Sequence, residues 1–340
     1  MKINVGLICG GQSPEHDISL FSVKNVEAAI DKNKFNSFII KIERDGRWMY
    51  QEQELSLNPG AGKKFLHYKN KPDQYLELDI VFPILHGPNG EDGTIQGLFE
   101  LCGIPYVGSG VLGSAINMDK DVTKRLLRDA GIAVAKFLVF YDHEKNQSSE
   151  KHKLNYKNII AELGSPFFMK PANTGSSLGV HKIKSESQFE TALEEVFQYD
   201  QKIILEKYIP GREIETAVLG NTELSMGIPG EIIPHHEFYT YEAKYFDENG
   251  ATVEVPAKLA PNIVTELQEL SMRAFKILCC DGLARVDFFL TPHGEIILNE
   301  INTLPGFTNI SMYPKCWEAA GLSYSELIGK LIHLGLEKHR

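Results

Sequence analysis

At 340 residues, 43% hydrophobic and 24% charged, the chain has a globular composition and exceeds what one ordinary core organises, so two or three domains are expected. A formal net charge of -10 argues against a nucleic-acid partner, which needs a basic face to displace counterions. No run approaches the roughly 20 apolar residues of a membrane-spanning helix. The five cysteines, Cys9, Cys102, Cys279, Cys280 and Cys316, lack metal-type spacing, so free thiols in a reducing, cytoplasmic compartment are expected.

Residues 3–9 (INVGLIC) read as a strand buried on both faces, and after the Gly10-Gly11 turn an amphipathic helix starts at His16 or Asp17. The apolar run is too short for a secretion signal. In open α/β sheets the turn after such a strand lies where ligands bind, which places Glu15 at the mouth of a site. Residues 37–42 and 79–85 are further strands. The second runs into LHGPNGEDG, whose glycines let backbone amides approach a ligand. His86, at the edge of this loop, reads equally well as a solvated loop histidine. A helix is predicted over 94–102, a short strand over 104–108, and one long helix over 115–130 carrying Asp119, Lys120, Lys124, Arg125 and Arg128, near which the first domain ends.

Strands follow at 136–141, 167–171, 180–183 and 202–208, with a polar excursion over 143–158 and a helix over 187–199. Between 167–171 and 180–183, Lys170 leads into the small residues NTGSSLG, which can wrap a phosphate with amides and hydroxyls. The lysine precedes the glycines, so this is not a Walker A loop, and GxGxxG is absent; on spacing alone a flexible hairpin loop is the favoured reading. Two more strands are predicted at 213–219 and 231–234. Residues 239–247 (YTYEAKYFD) form a long loop with Lys244 and Tyr245, a candidate lid. His235 and His236 are strand neighbours that point to opposite faces, which disfavours a metal pair. Helices close the pattern at 264–278 and 324–336.

The most informative stretch spans residues 286–302. Val286, Phe288 and Leu290 alternate with Asp287 and Phe289, residues 291–294 turn, and 295–298 return as an apolar strand. Strand ends away from a hairpin turn are neighbours, so Asp287 is expected to face Glu300 and Asn302. Two acids and an amide suit Mg²⁺ held against a phosphate. A bare pattern of this kind also fits an edge hairpin facing water. Arg285 on the same face and the turn at 303–306 favour the site.

Taken together, GGQSPEHDIS (10–19), LHGPNGEDGTIQG (85–97), MDK (118–120), MKPANTGSSLGV (169–180), LEKYIPGRE (205–213), YEAKY (241–245), ARVDFF (284–289) and NEINTLPGFTNISMYPK (299–315) closely resemble the D-alanine:D-alanine ligases of the ATP-grasp superfamily. The resemblance implies a mixed α/β and α+β fold. Its three domains would be an N-terminal parallel-sheet domain over 1–118, a central ATP-grasp subdomain over 119–211 and a C-terminal subdomain over 212–340. It implies ATP, two Mg²⁺ or Mn²⁺ ions, two D-alanine molecules and a homodimer, serving peptidoglycan precursor synthesis in the cytoplasm. By the same resemblance Lys120, Lys170 and Lys244 meet ATP phosphates, and Glu206, Lys207, Ile209 and Glu213 line the adenine and ribose pocket. Asp287, Glu300 and Asn302 carry the metals. Arg285 and the Gly306 amide stabilise acyl phosphate and oxyanion; Glu15, His86, Ser311 and Met312 meet substrate. Ser176 and Tyr245 latch the lid to Glu15. Asp17, Ile18 and Cys316 depart from the commoner family residues. A ligase using D-serine or D-lactate, or a non-catalytic nucleotide-binding module, are the alternatives.

Overall fold

The computed structural model describes residues 2–144, 154–175, 178–235, 250–308 and 310–339. Among these residues the strands form three sheets. In the first, Ile3–Gly10 lies between Phe35–Ile42 and Ile80–Pro83 and is parallel to both. Val5, Leu7, Ile8 and Cys9 are fully enclosed, as expected for a strand covered on both faces. Beyond Phe35–Ile42 the sheet continues through Trp48–Tyr50, Gln53–Leu57, Leu66–Tyr68 and Lys71–Leu76 as an antiparallel meander that the sequence pattern did not predict. These strands are only three to six residues long, so each carries little alternation to read. The strand expected at 104–108 is reduced to a single parallel bridge, Val81 to Tyr106.

The single helix expected over 115–130 is two helices, Val111–Met118 and Lys120–Asp129. Asp119 between them is extended, and its carboxylate accepts hydrogen bonds from the Asp121 and Val122 amides. An aspartate that satisfies orphan amides in this way starts a new helix instead of continuing the old one. The second sheet is antiparallel, in the order His181–Ile183, Phe167–Pro171, Lys202–Lys207, Phe137–Tyr141. Helices Tyr156–Leu163 and Glu186–Val196 bury Ile159, Leu163, Phe189 and Val196 against Phe167, Met169 and Leu205. Because strand side chains alternate, that packing turns Lys170 and Glu206 to the opposite face.

The third sheet runs Ala251–Glu254, Gly230–Pro234, Arg212–Gly220, Gly282–Leu290, Ile296–Asn302, with Leu224–Met226 paired to Arg212–Gly220. Helix Pro261–Ile277 covers it, packing Leu267 and Phe275 among Val218, Val286, Phe288 and Leu298. The connection into the second sheet is stitched to this one: Leu298 N–H donates to the Ala133 carbonyl at 2.9 Å, and Val134 bridges Leu298. The last helix, Tyr324–Lys338, starts in a capping box of Ser323 and Glu326. It returns to the first sheet, where Leu327, Leu331 and Ile332 share a core with Val5, Leu7 and Phe35.

Candidate active site

Three carboxylates stand in a row across neighbouring strands of the third sheet. Glu215 is directly opposite Asp287, and Asp287 directly opposite Glu300. Arg285 lies opposite Asn302 and grips Asp287 with two bonds, Nε to Oδ1 at 2.8 Å and Nη2 to Oδ2 at 2.7 Å. Its Nε is also 2.9 Å from Glu215 Oε2. Burial opposes the guanidinium's charge, but Asp287, Glu215 and Glu300 outweigh it and hold the Arg285 pKa well above the ordinary range. The register keeps the predicted Asp287–Glu300 pairing and adds a shift between Asp287 and Phe288 that leaves Asn299 without an opposite residue. Asn302 Oδ1 accepts from the Leu304 amide at 3.1 Å, which starts the turn carrying Gly306.

Lysines from two other elements converge on the same place. Lys170 Nζ is 2.9 Å from Glu206 Oε2, and Lys124 Nζ is 3.3 Å from Glu206 Oε1. Lys120 donates to the Thr174 carbonyl at 2.5 Å, tying its helix to the small-residue loop. Burial holds the Lys120 ammonium below the ordinary lysine range against the pull of Glu300 and Glu206. Lys124 Nζ donates to the Asn299 carbonyl at 3.1 Å, next to Glu300, so the lysine cluster adjoins the acid row. Burial would raise the Glu206 carboxyl; Lys124 and Lys170 more than reverse that and lower it. Lys207 is exposed at the end of the same strand, Ile209 is half-buried in the connection that follows, and Glu213 is half-buried on Arg212–Gly220 opposite Phe289.

Glu15, at the start of the first helix, is buried beneath two glycine loops. A Cβ on Gly87 would fall 2.3 Å from Glu15 Oε2, and one on Gly175 3.2 Å from it. Glycine at 87, with φ of +73°, is therefore what lets the loop lie over the carboxylate. His86 is buried, with Nε2 3.4 Å from Ser22 Oγ and Nδ1 3.7 Å from Glu91 Oε1. At the far end of the site, a Cβ on Gly306 would lie 3.1 Å from Ser311 Oγ, which accepts from the Thr308 amide at 3.1 Å. The Met312 side chain is buried in the first sheet's core and lies against Gly230, so what this residue can offer a ligand is its amide in the first turn of Met312–Ala319.

Ser176, Lys244 and Tyr245 lie outside the described residues, as does the loop at 239–247. Among the described residues no three His, Cys, Asp or Glu side chains gather as a metal cage. His235 Nε2 is 2.8 Å from Thr252 Oγ1. Sequence reasoning missed Lys124, Glu215 and Glu91. The signal for Lys124 was its i,i+4 spacing from Lys120, and for Glu215 the period of two from Glu213.

Two antiparallel sheets whose polar faces join a phosphate-seeking lysine cluster to a row of hard oxygen donors define a nucleotide-dependent ligase of the ATP-grasp class. Family models described as D-ala D-ala ligase N-terminus and D-ala D-ala ligase C-terminus match residues 4–109 and 126–333. A D-alanine–D-alanine ligase of Oceanobacillus iheyensis is 48% identical, over 100% of this chain and 97% of its own. Among solved structures, the D-alanine-D-alanine ligase from Coxiella burnetii superposes with a TM-score of 0.87 at 37% identity, covering 99% of this chain and 95% of that one. The VanG D-Ala:D-Ser ligase from Enterococcus faecalis also gives 0.87, at 36% identity over 98% and 100%. The chain belongs to the D-alanine–D-alanine ligase family.

Proposed function

We propose that the protein joins two D-alanine molecules into D-alanyl-D-alanine, with ATP converted to ADP and phosphate through a D-alanyl phosphate. The observation that carries this reading is the meeting of the Lys120, Lys124, Lys170 and Glu206 cluster with the Glu215, Asp287 and Glu300 row around Arg285. A carboxylate is a poor electrophile, so phosphorylation supplies a leaving group, and the second substrate's amine then displaces it. Lys120 and Lys170 hold nucleotide phosphates. The Glu206 carboxylate, whose Oε1 is 3.3 Å from Lys124 Nζ, keeps lone pairs for an amino group of the base, and Glu213 serves the ribose hydroxyls. Lys207 and Ile209 line the base pocket, and Lys244 reaches the phosphates from the lid. Glu15 takes the first substrate's ammonium beside His86. Ser311 and the Met312 amide receive the second carboxylate. Arg285 and the Gly306 amide stabilise charge at the acyl carbon, and Ser176 and Tyr245 latch the lid and keep water from the acyl phosphate.

The donor set fits two Mg²⁺ or Mn²⁺ ions on Asp287, Glu300 and Asn302. The ligands are hard oxygens, and carboxylates in the row outnumber the guanidinium by two. When bound, such ions neutralise charge on the phosphoryl group being transferred. Phosphate release with ATP and D-alanine, retained in wild type and abolished in Glu300→Gln, supports the reading; wild type that releases none sinks it. D-Serine as second substrate is the other reading, favoured by the equal superposition on a D-Ala:D-Ser ligase. Parallel assays with D-alanine alone and with added D-serine or D-lactate separate the two. The activity serves peptidoglycan precursors in the cytoplasm, and no described helix is long and apolar enough to cross a membrane.

A further inference from the structure

Lys124 is a buried ammonium that the reaction sketched above leaves without a task of its own. Lysine is almost never fully buried unless its charge is answered, yet this side chain is 1% exposed. Its Nζ lies 3.3 Å from Glu206 Oε1 and donates to the Asn299 carbonyl at 3.1 Å. The two partners sit on different sheets. Glu206 belongs to Lys202–Lys207, whereas Asn299 precedes Glu300 on Ile296–Asn302. Asn299 is also the residue that the hairpin's register shift leaves without an opposite number. A bulge of this kind gives up ladder bonding at one position, and here a lysine ammonium is directed at it.

We propose that Lys124 is a positioning residue for the ligase reaction, holding the Glu206 carboxylate while Lys170 turns to nucleotide phosphate and fixing, through the Asn299 carbonyl, the strand that carries Glu300 and Asn302. The proposal rests on the ATP-dependent reading above. In this structure the Glu206 carboxylate serves two ammonium groups at once. Lys170, 10% exposed and 2.9 Å from Oε2, is the one a phosphate can draw away. Lys124 is enclosed and tied to the main chain, so it cannot follow. Glu206 thus keeps a counter-ion at every stage, and its buried charge is never left unanswered, an outcome that would otherwise be strongly unfavourable.

The test uses full-length Lys124→Met, Lys124→Arg and Glu206→Gln proteins and the Lys124→Met/Glu206→Gln double variant. Calorimetric titration with ATP and Mg²⁺, without D-alanine, reads nucleotide binding apart from turnover, and steady-state assays give KM for each substrate and kcat. The expected result is ATP binding weakened by about tenfold or more in Lys124→Met, KM for D-alanine changed by less than about twofold, and recovery in Lys124→Arg. The double variant binds ATP no worse than Glu206→Gln alone, because the two side chains act as one unit. Unchanged ATP affinity in a folded Lys124→Met, additive losses in the cycle, or equal losses for ATP and D-alanine overturn the proposal. Should Lys124→Met not fold, ¹⁵N-lysine NMR of the wild type decides. ATP must then shift the Lys170 ammonium signal and leave that of Lys124 in place; both moving, or neither, overturns it. Wild type that binds ATP but releases no phosphate with D-alanine sinks the ligase reading and leaves the binding arm of this test intact.

Discussion

Burial by itself would push the proton off His86, but the Glu91 carboxylate 3.7 Å from Nδ1, with Glu15 beyond it, more than offsets that, and the imidazole titrates above its ordinary 6.5. A raised folded pKa means the charged imidazole stabilises the fold fully below 6.5, and this contribution fades as pH rises through the higher folded value. Proton NMR of the ring is expected to show a midpoint above 6.5 in wild type that falls in Glu91→Gln; an unmoved midpoint would contradict the pairing. Gly87 tests the same corner sterically. A methyl there would collide with Glu15 Oε2 at 2.3 Å and strain a φ of +73°, so Gly87→Ala is expected to raise KM for the first amino acid about tenfold or more with KM for ATP little changed. Much of this corner was legible, because Glu15, His86 and the glycines all stand in loops after buried strands. Glu91, Glu215 and Lys124 were not, since a charge in a loop, strand or helix reads as solvated until the opposing element is known.

At the scale of elements, the hairpin Gly282–Leu290 and Ile296–Asn302 was the most legible part of the chain, because its alternation separates a core face from a polar face. The core face carries Val286, Phe288 and Leu298, all at most 1% exposed, and the polar face Arg285, Asp287 and Glu300. Removing packing from one side should therefore leave the chemistry on the other in place. Phe288→Ala is expected to lower unfolding free energy by about 3–5 kcal/mol, read by denaturant titration, while Mn²⁺ affinity of the folded variant, read by electron paramagnetic resonance, stays near wild type. Lost metal affinity in folded protein would show that the two faces are not separable. Other elements were illegible for identifiable reasons. The meander between Trp48 and Leu76 lacks alternation, and the break at Asp119 depends on a cap that hydrophobic spacing does not encode.

For the whole molecule, the exposed apolar side chains on Thr94–Cys102 and Val111–Met118 bear on assembly. Leu101 is 73% exposed and Leu112 62%, on two successive helices. The homodimer expected from the family resemblance is predicted to bury this face. Wild type is expected to scatter light as twice the chain mass and Leu101→Asp as a monomer with ligase activity retained; a wild-type monomer, or a dimer that survives the change, would rule the face out. The sequence indicated the layered architecture through its alternation of buried strands and amphipathic helices, yet it could not reveal that Tyr324–Lys338 closes the core of the first sheet, because such a partnership across the whole chain leaves no local mark. The seam of Ala133 and Val134 with Leu298 has a mechanical consequence of its own. It makes the acid-bearing hairpin an abutment shared by both nucleotide-facing halves. The acids share one hairpin with Arg285, so their register is set within that sheet and owes nothing to the sheet that carries Lys170 and Glu206.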